Sequence, residues 1–433
     1  MFKAAFYMNN KISEHSSFPR VKGLPPYSLG KIANRVHELR AGGKDVIDCS
    51  QLNPALKPPQ LAVDKLVQVS LLPHNHRYSA SGGIALLRTA FTEYYKTKFN
   101  VEIDANQEIV VTQGTKEGIA HLLQAILNPG DTVLVPVPTY PVHTASVCLA
   151  GAGFVGVPLW KSFDHMSEKN GILTGDSEYF FTRLENRYFQ TWPRPRILVT
   201  SFPHNPTTSI VTKCFYERLI SFASLHNLFI VNDFAHGDLY FSQEDRCSIL
   251  SLPHAKEVAV EFYSLSKGFS LPGWRIGCGA GNANLLNALK SVKSYIDFGI
   301  FQPLQVAASE LLKYESSYDR NSARVDPNAE SSVISDNTDL YRHRRDILKS
   351  ILEQNGWNVI SSRATPFIWC RLPEDMRSAG SQTVADLLLE KRHLACSPGQ
   401  GFDSQQVDCM RFSLVESETR LREVSNRIRD FGL

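Results

Sequence analysis

The chain has 433 residues, a formal net charge of +3, 43% hydrophobic and 21% charged residues, which is the profile of a globular protein with two or three domains and a large core. Charge this close to balance gives a nucleic acid no electrostatic footing, so no nucleic-acid partner is expected. No apolar run reaches the ~20 residues that a bilayer span needs, so no membrane partner is expected either. Eight cysteines without a CxxC pair, behind an N-terminus unlike a signal peptide, read as reduced thiols of a cytoplasmic protein.

Residues 1–20 carry neither the helical nor the strand period and are expected to form an arm. GLPPYSLGKIANRVHELRAGG then reads as a proline-limited entry to a helix that ends at Gly42-Gly43, followed by a short strand from Asp45 to Cys49. From Gly82 the pattern alternates: a helix over 82–99, the strand EIVVTQ, a helix from Lys116 to Leu127 and the strand TVLVPVP ahead of Tyr140. It continues through ILVTSFP, a helix near 212–226, LFIVND, VAVEFYSLS and RIGCGAG. Strands separated by helices imply crossover units and an α/β fold with a mainly parallel sheet, and burial on both faces explains why the strands are continuously apolar. DRNSARVDPNAESSVISDN is polar and strand-free, expected as a mobile loop before the helix YRHRRDILKSILEQ. The last hundred residues alternate short strands (TPFIWCRL, CMRFSLV) with helices, as a smaller α+β domain does.

Ligands of an open parallel sheet sit beyond the carboxyl ends of its strands, so the polar residues after each apolar run are the ones to weigh. They are Gly114-Thr115-Lys116-Glu117-Gly118, Tyr140, Asn205-Pro206, Asp233 and Ser266-Lys267. The first is a helix N-terminus suited to phosphate, although turns carry Gly and Thr for capping alone. It is no Walker loop, and Gly277, Gly279 and Gly281 lack the acidic residue of a dinucleotide fingerprint. Lys267 is more specific. With Ser264 and Ser266 upstream and Arg275 downstream, one amine lies beside a cluster able to hold a dianion, and the neighbouring cation favours its free base. His74-Asn75-His76 has no evident third ligand, so no metal is expected.

Here the sequence resembles the class I/II aminotransferases, the fold type I enzymes that use pyridoxal 5'-phosphate. The resemblance rests on SLSKGFSLPGWRIG, SFPHNPTT, QGTKEG, PTYP and MRFS, and runs from about residue 20 to 430. It is similar to the bacterial glutamate–pyruvate (alanine) aminotransferase group at KGLPPY, YSASGGI and FQPLQVAA. The resemblance implies a three-layer αβα large domain on a seven-stranded sheet over 55–320. A small domain would be built from both chain ends, 1–54 with the arm and 321–433, in a homodimer with shared sites. It implies that Lys267 forms the internal aldimine and shuttles a proton, that Asp233 pairs with the pyridine nitrogen and that Tyr140 stacks on the ring. Asn205 would donate to the phenolic oxygen. Gly114, Thr115, Lys116, Ser264, Ser266 and Arg275 would hold the phosphate, with Tyr78 reaching it from the partner subunit. Arg411 would fork onto the substrate carboxylate, with Tyr27, Tyr295 and Phe298 near the side-chain pocket.

The sequence departs from the family pattern in three ways. His236 stands where DxxY has tyrosine, which suggests a titration near neutrality. Leu52 stands where relatives have glycine beside the substrate carboxylate, bringing a side chain into that space. The stretches 163–178 and 321–337 look like inserted surface loops. The expected reaction moves an amino group between an L-amino acid and a 2-oxo acid, alanine with 2-oxoglutarate first. A lyase, decarboxylase or oxidase on the same fold is the alternative. A transcription regulator is disfavoured, because the arm is too short for a DNA-binding module.

Overall fold

The computed structural model describes residues 23–24, 28–54, 56–318, 332–429 and 431; the expected arm, Tyr27 and residues 321–331 lie outside them. Seven strands form one sheet: β1 (Ile109–Thr112), β2 (Thr132–Val137), β3 (Gly153–Pro158), β4 (Ile197–Ser201), β5 (Phe229–Asp233), β6 (Ala259–Ser264) and β7 (Gly277–Gly281). Their order is β1-β7-β6-β5-β4-β2-β3. β7 runs antiparallel to both neighbours and the remaining pairs are parallel.

Alternate residues of each strand enter opposite cores. Val110, Val133, Val199, Val231 and Val260 pack with Ile119, Leu122 and Leu286 on one face. Val111, Leu134, Leu198, Ile230 and Tyr263 pack with Phe91, Tyr94, Phe215 and Leu311 on the other. With each fully buried apolar side chain worth about 1.5–3 kcal/mol, helices on both faces are the arrangement that covers such strands. Register then defines the functional edge. Asp233 lies opposite Ser201 and Phe262, and Gly277 lies opposite Ser264 and Thr112. The carboxyl ends of β1, β4, β5 and β6 therefore meet the start of the reversed β7.

A second, antiparallel sheet holds β8 (Asn358–Val359), β9 (Phe367–Arg371), β10 (Ser397–Pro398) and β11 (Cys409–Ser413) in the order β8-β9-β11-β10. Its core joins Ile368, Met410 and Phe412 to Tyr341, Leu348 and Leu421 of the covering helices. The early chain docks here: Ile47 and Asp48 pair in parallel with Leu394 and Ala395, and Ile32 and Val36 of the Ser28–Ala41 helix pack on Leu389. Among the described residues no helix is long and apolar enough to cross a membrane.

Four expectations need correction. The helix expected from Gly82 spans Ala85–Phe99, because Gly83 sits at φ +87°; the one expected from Lys116 begins at Gly114. The expected loop over 321–337 already contains the start of the Val333–Gln354 helix, where the Ser332 hydroxyl accepts the Ser335 N–H at 3.0 Å; this cap is inconspicuous inside a polar run. The stretch 163–178 is not a bare loop. It forms a helix at Phe163–Glu168 and pairs Ile172 and Leu173 with Ile210 and Val211. Met166 is buried in one cluster with Trp369, and Asp164 lies 3.3 Å from Arg371, so the segment ties the two sheets together.

Candidate active site

The functional edge and the second sheet enclose a cavity of about 420 Å³. Thr115 and Lys116 enter from the start of the Gly114–Ile126 helix, Tyr140 from beyond β2, and Ser201 and Asn205 from the end of β4. Asp233 and His236 follow from β5, Ser264, Ser266 and Lys267 from β6 and its turn, and Arg411 from β11. Arg275 precedes β7 and still reaches the same edge because that strand is reversed. Leu29 and residues 50–53 close the cavity from the early chain. Of the cofactor and catalytic residues expected from sequence, all line the cavity except Gly114, next to Thr115, and Tyr78; Tyr295 and Phe298, expected near the side-chain pocket, do not line it.

Lys267 sits on the one-turn helix Leu265–Gly268, where the Ser264 hydroxyl accepts the Ser266 N–H at 3.2 Å. Its Nζ donates to the Leu52 carbonyl. Burial, then the charges of Arg411 and Arg275, lower this amine to about 7, so much of it is free base near neutral pH. Leu52 thus meets the site through its backbone carbonyl, a contact that the expected side-chain intrusion did not include.

Asp233 is buried and pairs its Oδ2 with His143 Nε2 at 3.0 Å, while Oδ1 accepts the Ala235 N–H at 3.2 Å. The other His143 nitrogen lies 2.9 Å from the Thr139 hydroxyl, which fixes the ring. Burial raises Asp233, but chiefly the hydrogen bond and charge of His143, with the Ala235 N–H, hold it below the ordinary carboxylate value.

His236 corrects the expectation of a group titrating near neutrality. Burial, then the charge of Lys267, push it down to about 3 against a smaller pull from Asp233, with Arg411 adding to the push. The ring is therefore neutral at physiological pH. Its Nδ1 is enclosed without a partner among the described residues and its edge meets Phe367, so Nε2 is the ring nitrogen left to face the cavity.

Arg411, 1% exposed, is fixed by Nη1 donating to Asn205 Oδ1 at 2.8 Å, and by Nη2 donating to the Ser50 carbonyl at 3.0 Å and the Ser397 hydroxyl at 3.2 Å. Phe402 and Phe367 stand 4.8 and 5.3 Å from its guanidinium. A planar fork held in this way suits a carboxylate in the cavity.

Ser264 Oγ donates to Ser266 Oγ at 2.9 Å; Arg275 approaches that hydroxyl at 3.4 Å and donates to the Gln113 carbonyl at 3.1 Å. Gly114 lies at φ +77°, and a Cβ there would come within 2.5 Å of Arg275 Nη2. Glycine thus lets the guanidinium close over a helix N-terminus. The donors around this cradle are hydroxyls, amide N–H groups and a guanidinium, the set that fits a phosphate. With an amine near pKa 7 and a buried carboxylate in the same cavity, the residues present fit pyridoxal 5'-phosphate.

Tyr78 lies outside the cavity on the surface, 91% exposed, with its ring 5.6 Å from Phe298; Tyr295 is equally exposed. The sequence reading missed His143, Ser50 and Ser397. His143 had a signal, since it lies one helical turn after Tyr140 and their rings meet edge-on at 5.8 Å. Ser50 and Ser397 had none, because they meet only through the pairing of the two chain ends.

Comparison with known proteins gives a consistent picture. The family model described as aminotransferase class I and II matches residues 44–428. A putative aminotransferase AatC from Rhizobium meliloti is 38% identical, covering 96% of this chain and 95% of its own length. The glutamate-pyruvate aminotransferase AlaC of Escherichia coli is 36% identical, covering 95% and 93%. An LL-diaminopimelate aminotransferase from Natranaerobius thermophilus is 33% identical, covering 95% and 98%. The apo-BacF structure from Bacillus subtilis superposes with a TM-score of 0.83 at 29% identity, covering 96% of this chain and 98% of that one.

Proposed function

Because the chain belongs to the class I and II aminotransferase family, we propose that it transfers an amino group from an L-amino acid to a 2-oxo acid in two half-reactions, with pyridoxal 5'-phosphate in the cavity. The observation that carries this is Lys267, an amine lowered to about 7 between Asp233 and the Ser264–Ser266–Arg275 cradle. When bound, the cofactor supplies a reactive carbonyl carbon and an electron-withdrawing ring that stabilises negative charge on the substrate α-carbon.

The chain's own residues do the rest. Arg411 forks onto the substrate α-carboxylate. Lys267 Nζ, as free base, takes the proton from the α-carbon and returns one in the reverse half-reaction. Asp233, held ionised by His143, takes the pyridine nitrogen. Asn205 and the neutral His236 face the phenolic oxygen, Tyr140 covers the ring, and Gly114, Thr115, Lys116, Ser264, Ser266 and Arg275 hold the phosphate. Tyr78 of a second copy completes that cup in a homodimer, working in the cytoplasm.

Alanine with 2-oxoglutarate is the first substrate pair, supported by the 36% identity with the glutamate-pyruvate enzyme; the likeness to an LL-diaminopimelate aminotransferase keeps a longer diamino substrate next. The test is a half-reaction screen: mix the holoenzyme with single L-amino acids and follow the visible band. Bleaching with stoichiometric 2-oxo acid supports the reading. Release of ammonia, carbon dioxide or peroxide in its place overturns it in favour of a lyase, decarboxylase or oxidase.

A further inference from the structure

The helix that opens toward the cradle carries an acidic residue in its first turn, Glu117, where a bound phosphate dianion would repel it. Glu117 Oε2 accepts the Gln113 N–H at 2.7 Å. The Gln113 carbonyl in turn accepts from Arg275 at 3.1 Å. One carboxylate therefore holds Gln113 by its N–H just before the helix begins, and the carbonyl of the same residue is one anchor of the Arg275 guanidinium.

Behind Glu117, on the Ala283–Ile296 helix, Lys293 has a fully buried side chain. Its Nζ donates to Glu117 Oε1 at 2.9 Å and to Asp297 Oδ2 at 2.7 Å. His121 Nδ1 stands 2.5 Å from Glu117 Oε1, and Asp297 Oδ1 accepts the Gly299 N–H at 2.8 Å. Ligand atoms of Glu117, His121 and Asp297 lie within 4.8 Å of one another, a spacing that a metal ion would use. The ammonium of Lys293 already bridges the two carboxylates, so the resident cation is a side chain.

We propose that Lys293 is a positioning residue for the cofactor's phosphate: it neutralises Glu117 from behind, so that this carboxylate holds Gln113, the residue whose carbonyl anchors Arg275, without repelling the dianion one turn away. The inference rests on the assignment of the cavity to pyridoxal 5'-phosphate. Removing only the cation leaves a half-buried carboxylate beside the phosphate, which is electrostatically adverse where water is scarce. Removing both charges returns the cluster to its original net charge, with the remaining carboxylate, Asp297, still accepting the Gly299 N–H.

The experiment compares wild type, Lys293→Met, Glu117→Gln and the double variant. Cofactor affinity is read from the visible absorbance as holoenzyme is depleted by dialysis and re-titrated with pyridoxal 5'-phosphate, and in parallel with pyridoxal, which lacks the phosphate. Expected are a Kd for pyridoxal 5'-phosphate raised about tenfold in Lys293→Met, little change for pyridoxal, and most of the loss recovered in the double variant. A wild-type Kd in Lys293→Met, an equal loss for both ligands, or a double variant no better than the single overturns the proposal. If Lys293→Met does not fold, Glu117→Gln decides: affinity at or above wild type supports the proposal, and a tenfold loss overturns it. Failure of the wild type itself to bind pyridoxal 5'-phosphate refutes the cofactor assignment instead.

Discussion

Burial and two guanidinium groups act together on the amine of Lys267, and the motif around the lysine disclosed only one of these influences. Arg275 lies eight residues downstream in the same motif, whereas Arg411, the larger electrostatic contributor, arrives from a strand of the other sheet. In cofactor-free protein, acylation of Lys267 followed by peptide mapping should rise with a midpoint near pH 7, well below that of ordinary lysines. Arg411→Met should move that midpoint upward, since a like charge disfavouring the ammonium has been removed; a midpoint unchanged from wild type would rule out the coupling. Replacing Lys267 by Ala should lower turnover by about 10²–10⁴-fold, measured as 2-oxo acid formed, because the base proposed to exchange the α-proton is removed. His236 was legible as a departure, but its titration was not, because burial depends on neighbours that a motif does not name.

At the scale of elements, the apolar runs marked the sheet and the polar residue ending each run marked the site. Hidden from such a reading were features that need a third dimension. Gly118 is one: a Cβ there would come within 2.5 Å of Phe262 and 2.9 Å of Thr112, so the phosphate-facing helix rides directly on the sheet. Gly118→Ala should cost about 1–3 kcal/mol by overpacking, more than the ~1 kcal/mol that alanine gains in helix propensity, and a chemical-denaturation series checks it. Glu261 is another, a carboxyl within β6. Burial raises it to about 7 against donors from Ser248, Asn232, the Ile249 N–H and Tyr95. A folded pKa above the unfolded 4.5 means that the folded state holds the extra proton. Its stabilising effect is complete below pH 4.5 and is lost as pH rises through 7, an effect of about 3 kcal/mol. Glutamine fits the same partners, since Oε2 meets the N–H groups of Asn232 and Ile249 and Oε1 meets the hydroxyls of Ser248 and Tyr95, which can accept. Glu261→Gln should therefore melt above wild type at pH 8–9 and converge with it at pH 5; a constant difference across that range would show that the carboxyl does not titrate there.

For the whole molecule, the joining of both chain ends followed from resemblance alone, since nothing local in Ile47-Asp48 names Leu394-Ala395 as its partner. The surface raises the same problem at a larger scale. Leu71, Leu72, Tyr78, Tyr295, Ile296, Phe298 and Phe301 are all exposed, and ring contacts join Tyr78 to Phe298 at 5.6 Å and His76 to Phe301 at 5.5 Å. So many exposed apolar side chains, two pairs of them in ring contact, are unusual on a monomer, and a second copy is the partner that would also bring Tyr78 to the phosphate. Two variants separate assembly from chemistry. Phe298→Asp places a charge in the face and should yield monomers by light scattering, with cofactor affinity falling because the second copy's tyrosine is lost with it. Tyr78→Phe keeps the ring and should remain dimeric, weakening cofactor binding by about tenfold through loss of one hydroxyl to a charged phosphate. A Phe298→Asp monomer that holds cofactor as tightly as wild type would separate the apolar face from the active site and return Tyr78 to the role of an ordinary surface residue.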